Sequence, residues 1–187
     1  MLGVHSLDQI NRLAHTERAL VAVFIHHCYD WQLLDQMLGA KHGFDRHVRD
    51  AWHLLVPSKV GPGGTSGFID GIPPNHRFYD SELAYEIART TGIKGFEMPC
   101  LLFLENAEES FYCSLAPSAS FDPMQLIREI GDEAIKCQRE SKQEGEAYRS
   151  YVNTVVKAHL ARKRIAKFVK HSGPWLDRLI QVLGLPG

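Results

Sequence analysis

Apolar positions in this chain fall into two alternating rhythms, short unbroken runs and runs spaced at helical intervals. Leu2 to Val4 is short enough for a leading strand. Leu7, Ile10, Leu13 and Ala14 then recur three and four apart up to about Thr16, behind Ser6 and Gln9 in the spacing of a capping box, which predicts a helix. Ala19 to Ile25 is β-branched and apolar without alternation, as expected of a central strand covered on both faces. From Tyr29 to about His47 the apolar residues Leu33, Leu34, Met37 and Leu38 share one face, which predicts an amphipathic helix with a stop near Gly43. Trp52 to Val56 is another buried strand.

The second half repeats the alternation. Ser81 to Thr91 has Leu83, Ala84, Ile87 and Ala88 at helical spacing with Gly92 as a C-terminal stop. Cys100 to Leu104 and Ser110 to Leu115 flank the turn Asn106-Ala-Glu-Glu and predict a β-hairpin. Asp122-Pro123 opens a helix carrying Leu126, Ile127, Ile130, Ala134 and Ile135, with proline in its first turn. Between Pro57 and Pro74 the glycine and proline content excludes regular structure and predicts a long loop. Strands alternating with helices, then a hairpin and a helix, predict an α/β fold: a mixed sheet with helices on both faces.

A C-terminal helical extension follows. Gln138 to Ser150 reads as a polar, solvated, helical spacer. Beyond it Tyr151, Val152, Val155, Val156, Leu160, Ile165, Phe168 and Val169 form an apolar stripe on a helix that also carries Lys157, Arg162, Lys163, Arg164, Lys167 and Lys170. A final short helix is predicted from Pro174. The chain is accordingly divided into 1–137 and a basic amphipathic extension over 138–187.

Composition adds little until it is split. Across 187 residues, 44% hydrophobic and 23% charged with a formal net charge of −1, the chain is no polycation. Residues 151–187, however, hold seven Lys or Arg against one acidic residue, a formal +6 set against −7 for residues 1–150. Such a segment suits an acidic membrane surface, nucleic acid phosphates or an acidic protein groove. Its apolar face favours folding back on the acidic body or homo-oligomer formation through 151–187. No aromatic stacking motif accompanies the charges to support nucleic acid binding. The first residues lack a basic and apolar leader, and no apolar run reaches membrane-spanning length, so a cytoplasmic location is expected. Cys28, Cys100, Cys113 and Cys137 show no paired spacing, which argues against a structural zinc site or a disulfide framework and predicts reduced thiols.

Candidate chemistry centres on Cys28, where a buried strand meets a helix. Unpaired N–H groups and the positive end of the helix dipole favour a thiolate there, with His26 or His27 as activator. The competing reading is an evolutionary remnant or a small packing residue. His26-His27-Cys28-x-Asp30 has the residue types of a metal site, but strand alternation sends the two histidines to opposite sides, and no metal or other cofactor is assigned. The threonine and proline that frame a peroxidatic cysteine are absent. Gly61-Pro-Gly-Gly-Thr-Ser-Gly lacks the Gly-Lys-Ser/Thr ending of a phosphate loop.

Over roughly residues 1–137 the chain resembles the thioredoxin-fold superfamily. Phe24-Ile25-His26-His27-Cys28-Tyr29-Asp30-Trp31 is similar to that family's strand-to-helix junction, with Cys28 on the first cysteine and Trp31 in place of the second. Gly92-Ile-Lys-Gly-Phe-Glu-Met-Pro-Cys-Leu-Leu-Phe-Leu resembles the segment that leads into the family's cis-proline, which makes Pro99 the candidate. The resemblance implies that strands 19–25 and 52–56 are parallel neighbours and that 100–104 runs antiparallel to them. Cys28, the 57–74 loop and Met98-Pro99 would then meet at one edge. It further implies a peptide groove formed by Met98, Pro99, Tyr29 and Asp30, with the long loop as a lid or specificity element. Dithiol exchange needs a resolving thiol, which Trp31 cannot supply. The expected function is therefore a redox-degenerate module that binds a protein or peptide. The alternative is a glutathione-linked monothiol oxidoreductase with Cys28 as nucleophile and His27 nearby. Cys100 is either a distal resolving thiol or a core residue.

Overall fold

The computed structural model describes residues 1–16, 18–27, 31–59, 76–105, 110–116, 121–163 and 166–168. Its centre is β2 (Leu20–Ile25), in which all six residues are buried, as an apolar run without alternation requires. On one side β2 pairs in parallel with β3 (Trp52–Pro57), which pairs in parallel with β1 (Leu2–Val4). On the other it pairs antiparallel with β4 (Cys100–Leu104), which forms a hairpin with β5 (Ser110–Ser114). The sheet is completed by β6 (Ala166–Phe168), giving the order β1-β3-β2-β4-β5-β6. In the hairpin Phe103 lies opposite Phe111, and their rings stack at 4.7 Å.

Helices α1 (Leu7–Thr16), α4 (Ser81–Thr91) and α5 (Pro123–Glu140) occur where the pattern placed them. Their ends follow from capping chemistry. Asp80 accepts from the N–H groups of Glu82 and Leu83, Asp122 accepts from Met124, and Gly92 closes α4 in the left-handed region at φ 70°.

The helix expected over 29–47 is instead two, α2 (Gln32–Gly39) and α3 (Lys41–Val48), sharing Ala40 as a joint. Gly43 does not end it. The stop is Arg49, at φ 49°, whose N–H bonds Asp45 O. The bend lets α2 bury Leu34, Met37 and Leu38 while Phe44 of α3 meets Trp52 edge-on at 5.2 Å. Close by, α5 passes α3 through Gly131, where a Cβ would lie 2.9 Å from Val48 Cγ1.

The C-terminal part departs further from expectation. The border at 137 falls inside α5, and the stretch read as a solvated spacer holds the start of α6 (Gly145–Arg162). Tyr148, Val152, Val156 and Leu160 of α6 join the same core as β2, and α6 packs on α5, α1, β2 and β6. Its apolar face is thus covered within the chain. Residues 166–168, read as helix, form a strand, because the outer edge of β5 offers backbone groups that a further strand satisfies. The predicted last helix lies outside the described residues. Among those residues no helix is long and apolar enough to cross a membrane.

Polar contacts tie α6 to the end of the sheet where β2 begins and β4 stops. The Arg18 guanidinium donates to Ser141 O and lies 5.3 Å over the Tyr148 ring. Asn153 Nδ2 donates to Leu104 O at 3.4 Å and to Arg149 O at 2.9 Å. Lys157 pairs with buried Glu105, and Lys163 and His159 both engage Glu129 of α5.

The Tyr148 hydroxyl is buried without a hydrogen-bond partner among the described residues, and burial raises its pKa to about 12. Tyr148→Phe removes that desolvated group and is expected to be neutral or stabilising by up to ~1 kcal/mol. Tyr148→Ala leaves a cavity beneath α6 and is expected to cost about 3–5 kcal/mol, as large aromatic truncations do. Urea unfolding of both variants reads the difference, and a small loss in the alanine variant would show that α6 is only loosely attached.

Candidate functional site

The parallel strands β1, β3 and β2 all end at one edge of the sheet, where antiparallel β4 begins; Ile25 pairs with Cys100 there. The chain beyond β3 returns to the same edge, because Ser58 bridges to Tyr79 and Asp80 N–H donates to Pro57 O at 3.0 Å. The Met98-Pro99 bond is cis, as the resemblance implied, and Pro99 O accepts from Leu115 N–H at 2.6 Å.

Tyr79 organises this edge. Its hydroxyl accepts from His26 N–H at 2.7 Å and donates to His26 O at 3.2 Å, so one phenol satisfies both backbone groups of the first residue beyond β2. The His26 side chain is only 2% exposed. Its ring stacks on Trp31 at 5.8 Å, and Trp31 stacks in turn on His76 at 5.2 Å. Tyr79 meets both His26 and Trp31 edge-on, at 6.3 and 6.4 Å. Asp35, one turn into α2, completes the column: its carboxylate accepts from His76 N–H at 3.1 Å and lies 3.0 Å from His76 Nδ1. The indole of Trp31 is therefore stacked with two imidazoles.

Expected divergence of His26 and His27 does not occur. The strand ends at Ile25, alternation stops with it, and the two rings lie 5.5 Å apart. Both line two clefts that meet at Met98. One, of about 520 Å³, includes Gln32, Leu33, Gln36, Pro99 and Phe121. The other, of about 450 Å³, includes Ser81, Tyr85, Gly95 and Phe96. Tyr85 and Phe96 are 66% and 76% exposed, and they are the two most exposed large hydrophobic side chains among the described residues. Beside them Glu97 is hydrogen-bonded to the Tyr112 phenol, whose pKa is raised by burial first and by that carboxylate second.

The structure brings His27, Trp31, Met98 and Pro99 together. Cys28, Tyr29, Asp30 and the loop from 60 to 75 lie outside the described residues. Cys100 is fully buried in β4, which is the core reading. Burial pushes the Cys113 thiol up to about 12 and raises that of Cys137. Among the described residues no three His, Cys, Asp or Glu side chains converge to hold a metal. Sequence reasoning missed Tyr79, His76, Asp35, Tyr85 and Phe96. Only Tyr79 had a local signal, an aromatic residue placed just before the helix cap Asp80.

The chain matches no protein-family model, no curated protein and no solved structure.

Tyr79→Phe keeps the ring and removes both hydrogen bonds to buried His26. It is expected to cost about 1–3 kcal/mol, the penalty for buried polar groups left unmatched, measured by denaturant unfolding. Iodoacetamide at pH 8 is expected to leave Cys100, Cys113 and Cys137 largely unmodified in the folded protein, because all three are buried. Site-resolved mass spectrometry checks this, and rapid labelling of Cys100 would restore it as a candidate resolving thiol.

Proposed function

We propose that this chain is a thioredoxin-fold protein whose groove binds an extended segment of a protein partner without dithiol chemistry. The strand order β1-β3-β2-β4-β5, with β1, β3 and β2 parallel and β4 and β5 antiparallel, supports the fold assignment.

The observation that carries the functional reading is Trp31. It stands where a resolving cysteine would be needed, and its ring stacks with both His26 and His76. Trp31 cannot release a mixed disulfide formed on Cys28, and Cys100 in β4 is buried. The same edge offers what a binding groove needs. Two clefts lie on either side of Met98, and one presents the exposed rings of Tyr85 and Phe96. Extended chain crossing Met98 can place apolar side chains into both, since alternate residues of a strand point to opposite sides.

Selection of a displayed peptide library on the full chain tests the proposal. Peptides recovered by the wild type are expected to bind Cys28→Ser with unchanged affinity. The double variant Tyr85→Ser/Phe96→Ser is expected to weaken them about tenfold or more, the effect of losing buried aromatic contact. Loss of binding in Cys28→Ser, together with wild-type turnover of a glutathionylated substrate, would instead support a monothiol oxidoreductase.

A further inference from the structure

A separate concavity lies between the α2–α3 joint and the first turns of α5. It encloses about 560 Å³, with Gly39, Gly43 and Phe44 on one side and Met124 and Ile127 on the other. That volume and apolar lining are those of a small-molecule site. Arg128 stands on its rim, exposed to solvent.

Two independent features indicate what the cleft accepts. The first is charge. Carboxylates close to Arg128 along α5 are engaged by other side chains: Glu129 by Lys163 and His159, Asp132 by His47, Glu133 by His159. Among the described residues no carboxylate pairs with Arg128, so a guanidinium able to bind an acid by two parallel hydrogen bonds is left at the mouth of an apolar space. His47, also on the lining, already has a hydrogen-bond partner in Asp132 at 2.8 Å.

The second is glycine. Gly131 is explained by the close approach of Val48, and Gly145 by its φ of 54°. Gly43 has neither reason. It sits inside α3, where glycine disfavours the helix, yet a Cβ there would meet nothing within 4 Å. The folded chain itself has no steric need for glycine at this position. What the absent side chain preserves is the open volume of the cleft.

We propose that this cleft binds a free aliphatic carboxylate of medium chain length, its hydrocarbon against Phe44, Met124 and Ile127 and its carboxylate on Arg128. The aliphatic tail suits a lining without buried polar groups to satisfy, and the single acidic head suits the one unpaired cation at the rim.

Decanoate, kept below its micellar concentration, is the probe, with decanol as the neutral control, both titrated calorimetrically into the full chain. Saturable one-to-one binding of decanoate, tighter than decanol, is expected. Arg128→Gln is expected to weaken decanoate roughly tenfold and to leave decanol unchanged, since only the charge-assisted bonds are lost. Gly43→Leu is expected to abolish both while melting no lower than the wild type, because leucine favours the helix and fills open space. The proposal is overturned by absent or non-saturable binding, or by equal binding in Gly43→Leu. It is also overturned if sedimentation shows a dimer that Gly43→Leu dissociates, since a second copy of the chain would then be the occupant.

Discussion

One hydroxyl decides how the upper edge of the sheet is built. A buried strand must end somewhere, and the N–H and C=O of the terminal residue then need partners that no neighbouring strand provides. Ile25, the last residue of β2, is followed by buried His26, and Tyr79 meets both requirements of His26 at once. The arrangement requires the chain to return from β3 at a set height, which the Ser58–Tyr79 bridge and the Asp80–Pro57 hydrogen bond achieve. With Tyr79 in place, His26, Trp31 and His76 stack beside it and Asp35 fixes the last ring. Of this assembly His26 lines both clefts that meet at Met98.

Much of the framework was legible because burial leaves a periodic trace. The unbroken apolar runs gave β2, β3 and β4, and the capping residues gave the ends of α4 and α5. Partnership leaves no such trace. The His76–Asp35 contact spans 41 residues and the Tyr79–His26 contact 53, and nothing local in either sequence names the other. The strand β6 failed for a related reason. Alternating and helical spacing are hard to separate over three residues, and what makes 166–168 extended is the open edge of β5. The joint at Ala40 was hidden because the apolar face of α2 ends before it, so periodicity carried no information on where α3 turns.

Charge separation between the two parts of the sequence becomes contact in the fold. The basic C-terminal stretch supplies Lys157 to Glu105 and Lys163 to Glu129, so part of the excess of each sign is neutralised within the molecule. The Lys163 ammonium beside Glu129 holds that carboxyl below its usual range. A carboxyl with a lowered folded-state pKa contributes stability above its unfolded value and loses that contribution as pH falls through the folded one. Exposure limits the size of this effect, since both partners face solvent in part.

The placement of α6 also bears on how the protein is made. Tyr148, Val152, Val156 and Leu160 cover apolar surface belonging to strands synthesised much earlier, and Asn153 closes on the carbonyl of Leu104. While the ribosome is still adding α5, the sheet has all five of its first strands and none of this cover. A nascent chain at that length presents an apolar face to its surroundings, the condition under which partly folded proteins associate with chaperones or with one another. Completion of the core therefore waits for the emergence of α6, which makes translation past its last turn the event that commits the polypeptide to its native state.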